Sequence, residues 1–298
     1  MFEKSKIELG IAPIGWTNDD MPDLGKEISF EQCIDEMAEA GFAGTEVGNK
    51  YPRDPAVLNA ALAKRGLKIA NAWFSSLLTT KPFAETEAEF IRQSDYLKAV
   101  GSLRIGVSEQ GHSIQGEMET PIFEKKYVMN DAEWKLLTDG LNRLGKIAVD
   151  KGMKLVYHHH MGTVVQTAAE TDRLMAETDP AMVNLLFDSG HFAYCDEDPL
   201  AMLKKHVKRV AHVHLKDIRP AMVKKVKDEH LSFLKGVRMG AFTVPGDGSI
   251  DFVPIFQVLS DAGYNGWMLV EAEQDPAVAK PLEYAKKARE YIRKTSGL

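Results

Sequence analysis

Cysteine is nearly missing from this chain: two of 298 residues, Cys33 and Cys195, with no CxxC pair. Two thiols set that far apart exclude a disulfide-stapled scaffold and a zinc-thiolate site, and they predict a reduced, intracellular protein. Long apolar runs are missing too. No stretch approaches the roughly 18 apolar residues that span a bilayer, and the opening MFEKSKIELG holds no apolar core of a secretory leader. A cytoplasmic protein with no membrane partner is expected. Nor is there an excess of basic charge: 37 Lys and Arg against 43 Asp and Glu leave a net charge of −6. Such a chain repels a phosphate backbone on average, so nucleic acid is not an expected partner. No GxGxxG follows an apolar run, and there is no P-loop and no GxSxG elbow, which removes dinucleotide, NTPase and serine-hydrolase chemistry. No low-complexity tract or Pro/Ser-rich linker marks a boundary, so residues 1–298 read as one domain, with a homo-oligomer left open.

What is present is a repeated unit in which a helical stretch ends in Gly and an apolar run follows at once. Gly41 precedes the run ending at Val47, Gly66 precedes 69–73, Gly101 precedes 103–107, Gly152 precedes 155–158 and Gly263 precedes 267–271. Glycine suits the residue after a helix, where left-handed φ/ψ costs other side chains a clash. The runs are apolar on both parities, as strands buried on both faces are. Further runs at 7–14, 183–187 and 210–215 make eight. Helical patterns alternate with them at 29–40, 55–65, 85–100, 131–150, 167–177, 199–206, 254–262 and 277–294. Alternation predicts parallel strands with right-handed crossovers, and eight repeats predict an α/β fold of the closed (β/α)8 barrel type. Two long βα connections, at 109–130 and 219–251, fall on the side where barrels build active sites. The Lys224–Lys227 cluster in the second reads as a solvated helix face. VPGDGSIDF (244–252) reads as a tight turn that walls the pocket, with phosphate binding as its other reading.

The chemistry gathers where polar residues close apolar runs, because burying such groups costs free energy unless they find partners. These endings are Glu46 in GTEVG; His158, His159 and His160 in KLVYHHH; Asp188 and His191 in LLFDSGH; His212, His214, Lys216 and Asp217 in AHVHLKD; and Glu271 and Glu273 in WMLVEAE. Adjacent strands lie about 4.8 Å apart, so His and carboxylate groups at successive strand ends can converge on one ion. Mixed imidazole and carboxylate donors suit Mn, Co, Fe(II) or Zn better than Mg or Ca. Side chains alternate along a strand, which puts His158 with His160 and His212 with His214, and turns His159 away.

These endings resemble the xylose-isomerase-like barrel superfamily, through DxxH (Asp188–His191), HxH (His212–His214) and GDGSIDF followed by GYNGWMLVE. Within it, GFAGTEVG, ANAWFSS, YHHHMGTVVQT, DSGHFAY and HVHLKDIR are similar to the inosose dehydratase family of inositol catabolism, over nearly the whole chain. The resemblance implies metal ligands at Asp188, His214 and Glu271, with His158 as the fourth and His160 as its alternative. Sugar epimerases of the superfamily carry a glutamate where this chain has His158, which weakens an epimerase reading. The implied reaction is loss of water from a cyclic polyol ketone: a proton leaves the carbon beside the ketone and the next hydroxyl departs. Glu46, His191, Lys216 and Glu271 are the candidate acid and base. His160, Trp73, Lys216 and His191 are the candidate substrate contacts. A divalent metal, Mn or Co before Zn or Fe, is the implied cofactor, and glutathione is a further one attributed to the family. A ketose or sugar-phosphate isomerase or epimerase on the same barrel is the alternative activity. An endonuclease IV-like repair enzyme, with more ligands and a basic surface, and a metal sensor without turnover stand behind it.

Overall fold

The structure, a computed structural model, describes residues 2–3 and 6–298. Met1, Lys4 and Ser5, part of the opening stretch searched for a leader, lie outside the described residues. Eleven strands are found among the described residues: β1 (Ile7–Ile11), β2 (Gly44–Glu46), β3 (Lys68–Asn71), β4 (Trp73–Ser76), β5 (Arg104–Glu109), β6 (Lys154–His158), β7 (Val183–Asp188), β8 (Val210–Leu215), β9 (Asp217–Ile218), β10 (Phe242–Thr243) and β11 (Gly266–Val270). Nine pair in parallel in the order β3-β2-β1-β11-β8-β7-β6-β5-β4. The two ends of that order are one strand. Only Ala72 separates β3 from β4; Asn71 O accepts from Val47 N–H on the β2 side, and Ala72 O accepts from Gly106 N–H on the β5 side. The sheet therefore closes on itself as eight staves, the expected barrel, with its third stave split.

The chain folds this way because each crossover carries its own start and stop signals. Asn130 and Thr167 cap the helices Asp131–Asp150 and Ala168–Glu177 with full capping boxes, and Asp54 and Asp198 cap helices opening on Pro55 and Pro199. The glycines read as stops, among them Gly41 and Gly66, adopt positive φ of 87° and 68°. Apolar side chains of strands and helices pack between the sheet and its helical coat; Leu155, Leu185, Val213 and Met268 are fully buried. One end of the barrel is plugged. There the Trp267 indole lies against Gly44, where an added Cβ would come within 2.4 Å of the ring, and Arg104 Nε–H donates to Ala211 O at 2.8 Å. The site must open at the other end.

Four expectations are corrected. The first strand stops at Ile11 rather than residue 14, because Pro13 offers no N–H to a neighbour and the chain turns through Pro13–Gly15. The last helix starts at Pro281, not 277, since the Asp275 carboxylate ties Ala277 N–H into a separate turn. Glu109 ends β5 and does not begin a loop. The 219–251 connection holds the helices Pro220–Asp228 and Phe233–Arg238 and β10, which pairs antiparallel with β9. Lys224, Lys225 and Lys227 lie in the first of these helices and face Asp228, Glu229 and Asp196, the solvated face expected of them.

Candidate metal centre and active site

The strand ends that face the open mouth bring four groups together. Ligand atoms of His158, Asp188, His214 and Glu271 all lie within 4.8 Å of one another, and all four residues are buried. Each is placed by local structure. Asp188 ends β7 and caps the helix Ser189–Tyr194, its Oδ1 accepting from His191 N–H at 2.9 Å. Its Oδ2 is left to face His158 Nε2 at 3.4 Å and His214 Nδ1 at 3.5 Å. His214 lies on β8 with Nδ1 3.2 Å from Glu271 Oε2. Its other nitrogen, Nε2, lies 2.9 Å from Glu46 Oε1, which also takes His212 Nε2 at 3.1 Å and Asn71 Nδ2–H at 2.9 Å. With Nε2 engaged by Glu46, Nδ1 is the His214 atom that faces the cluster, and a cation bound there would take the place of the proton on it.

Electrostatics follow the geometry. Burial pushes His158 down to about 4, so its ring is neutral at neutral pH. Burial also works against charge on His214, yet Glu46 and Glu271 hold it well above the usual histidine range. Asp188 stays well below the carboxylate range: burial opposes this, but the Lys216 ammonium outweighs it. His158 Nδ1 and His214 Nδ1 are buried with no hydrogen-bond partner, whereas Glu271 Oε2 has the Lys216 ammonium at 2.7 Å. Leaving such groups unmatched costs about 1–3 kcal/mol each. Two imidazoles with unmatched nitrogens and two carboxylates, all within 4.8 Å, fit a divalent cation.

A cavity of about 300 Å³ opens over this cluster, lined by Glu46, Trp73, His158, His160, His214, Glu271 and Glu273. Trp73 packs nearly perpendicular to both His158 and His160, with ring centroids 5.5 Å from each, and its N–H donates to Ser75 Oγ. His160 Nδ1–H donates to Met161 O at 2.8 Å, which leaves Nε2 toward Glu273 Oε1 at 3.5 Å. His191 and Lys216 stand behind this lining rather than on it. Lys216 is fully buried, not the exposed start of a loop, and its Nζ touches His191 Nε2 at 2.9 Å, Glu271 Oε2 at 2.7 Å and Glu273 Oε2 at 3.0 Å. His159 points away as expected, stacked 3.7 Å from Phe192. The VPGDGSIDF turn is not free for phosphate: the Asp217 carboxylate already accepts N–H groups from Gly246, Gly248, Ser249 and Ile250.

The cavity wall also contains Asp19, Asp20, Asn49, Arg53, Gln93 and Gln115, which the strand-end search missed. One signal was available for two of them. TNDD (17–20) sets two adjacent acids in the connection after the first strand, just past the Pro13–Gly15 turn. Arg53, Gln93 and Gln115 sit farther along loops and a helix, where polar residues are ordinary.

Comparison with known proteins agrees with this architecture. The family model described as xylose isomerase-like TIM barrel matches residues 34–295. The chain is 65% identical, over all of both chains, to a protein named inosose dehydratase from Clostridium botulinum (strain Alaska E43 / Type E3). It is 67% identical over 99% of each chain to one of the same name from Clostridium perfringens (strain 13 / Type A), and 62% identical over the full length to one from Geobacillus thermodenitrificans. Among solved structures it resembles a probable 3-DHS dehydratase from Bacillus anthracis (TM-score 0.70, 14% identity, 96% and 98% of the two chains covered). It also resembles the IOLI protein with a binding zinc atom (TM-score 0.70, 16% identity, 97% and 98% covered). At those identities the structural matches speak for the fold. The full-length sequence matches speak for more: this chain belongs to the inosose dehydratase family of xylose isomerase-like barrels.

Proposed function

We propose that this single barrel domain dehydrates 2-keto-myo-inositol (scyllo-inosose) to a trihydroxycyclohexane-1,2-dione in the cytoplasm, with one divalent ion held by His158, Asp188, His214 and Glu271. The full-length identity to relatives named inosose dehydratase carries the reading, and the four-residue cluster under a sugar-sized cavity supplies its chemistry. Mn or Co suits the mixed donors better than Mg. A divalent ion there supplies positive charge for the ketone oxygen, which makes the neighbouring C–H acidic.

The chain's own groups do the rest. Glu46, on the cavity wall and steadied by His212, His214 and Asn71, takes the proton from the carbon beside the ketone. His160, with Nδ1–H fixed on Met161 O, delivers a proton from Nε2 to the hydroxyl that leaves as water. Lys216 and His191 act from behind the wall as positioning residues, holding Glu271 and Glu273 in place. The test uses chelated protein, scyllo-inosose and the ultraviolet absorbance of the dione. Dione should form only after Mn or Co is returned. Full activity in well-chelated protein overturns the metal reading, and a stereoisomeric inosose with no dione overturns the dehydratase.

A further inference from the structure

Lysine is rarely fully buried, and Lys216 is buried in unusual company. Its Nζ has Glu271 Oε2 at 2.7 Å, Glu273 Oε2 at 3.0 Å, His191 Nε2 at 2.9 Å and Asp188 Oδ2 at 3.6 Å. Three carboxylates and an imidazole converging on one point are the donors of a divalent-ion site. Independently of the lysine, ligand atoms of His160, His191 and Glu273 lie within 4.8 Å of one another, all buried, just as those of the first four residues do. The two clusters adjoin, since His158 and His160 rings are 5.5 Å apart and the ammonium touches both glutamates.

The ammonium is held there firmly. Ser189 Oγ donates to Lys216 O at 2.7 Å and accepts Lys216 N–H at 3.1 Å. The aliphatic stem runs over Gly190, where a Cβ would come within 2.4 Å of it, and the Phe242 ring lies 4.5 Å from Nζ.

We propose that the barrel mouth contains a second divalent-ion site, formed by His160, His191 and Glu273, and that the Lys216 ammonium fills it as a built-in cation. The proposal rests on the metal reading of the first four residues and deepens it: the enzyme takes one ion because its second cation is covalent. A fixed ammonium neutralises the clustered carboxylates while leaving His160 free of metal and facing the cavity.

The experiment counts ions. Wild type, Lys216→Ala and the double variant Lys216→Ala/Glu273→Gln are dialysed against excess Mn and then against buffer, and bound Mn per chain is measured by mass spectrometry. The expected counts are one, two and one. The Mn paramagnetic resonance signal should change from that of an isolated ion to that of a coupled pair in Lys216→Ala, because Glu271 borders both positions. If Lys216→Ala folds only with Mn present, the count is made on the refolded protein and the same numbers decide. A Lys216→Ala count equal to that of the wild type overturns the second site while leaving the first standing. So does a double variant that keeps the gained ion. A wild type that binds none sinks the reading of the first four residues; the second site then stands if Lys216→Ala gains one ion, and falls if it gains none.

Discussion

Asp188 does two jobs with two oxygens: Oδ1 caps a helix and Oδ2 faces the cluster. The jobs can be separated. Asp188→Asn keeps an oxygen for the cap and loses the negative charge, so the melting temperature should move by only a few degrees. Metal content should fall, and kcat/KM should drop at least ~10²-fold. Asp188→Ala should in addition lose about 1 kcal/mol of capping. His159→Phe is the control: both ring nitrogens lack hydrogen bonds beside Phe192, and metal content should stay at the wild-type level. An Asp188→Asn protein with full metal content contradicts the assignment. At this scale the sequence was readable because a polar residue ending an apolar run must be buried at a cost, which makes it conspicuous. Asp188, His214 and Glu271 stand out that way. The partnership of Glu46 with His214 does not, because 168 residues separate them and only barrel closure makes them neighbours. Asp20 and Arg53 were missed because a loop residue at a cavity mouth has no such cost.

The connection after β8 shows what one side chain can do for an element. The Asp217 carboxylate gathers the N–H groups of Gly246, Gly248, Ser249 and Ile250 as well as that of Ile218. Gly248 must be glycine, since a Cβ would sit 2.3 Å from Asp217 Oδ1. Asp217→Ala leaves those donors without an acceptor and should destabilise the protein by several kcal/mol, with 244–251 becoming the first segment cut in limited proteolysis. A cleavage map unchanged from wild type would show that the turn holds itself. The main strands and helices were legible through glycine stops followed at once by apolar runs. Pro220–Asp228 showed only as the Lys224–Lys227 face and Phe233–Arg238 not at all, although Pro220 and Ser232 begin them properly. The six residues of Phe233–Arg238 give too few turns for a helical period to emerge. The break at Ala72 was equally hidden, because Ile69, Ala70, Ala72 and Trp73 read as one run across it.

Taken as a whole, the molecule buries histidines neutral around its axis. Burial lowers His212 from an ordinary 6.5 to about 4, as it does His158, and it holds His159 and His191 well below the usual histidine range. Between pH 6.5 and 4 the unfolded chain binds protons at these rings that the native chain refuses, so stability falls as pH falls through that window, by roughly 3 kcal/mol for a group shifted as far as His212. His214 works the other way: its raised value adds stability at low pH that is lost as pH rises, and one ring does not offset four. Glu273, lowered to about 2, adds a further loss below its unfolded value. Urea midpoints of metal-free protein should therefore decline from pH 7.5 to 5, and a flat profile over that range would contradict the burial of neutral rings.

The closing of the barrel also has a consequence in time. β1 lies against β11 from Ile7–Gly266 to Ile11–Val270, so the first strand's far neighbour is almost the last part of the chain to be made. At about 5–20 residues per second, roughly 13 to 50 s pass on the ribosome before that partner exists. For that interval Ile7, Leu9 and Ile11 offer an unpaired apolar edge, the template on which strands of other chains pair. The newborn protein is thus most exposed to misassembly at its beginning, and it becomes safe only when its end arrives.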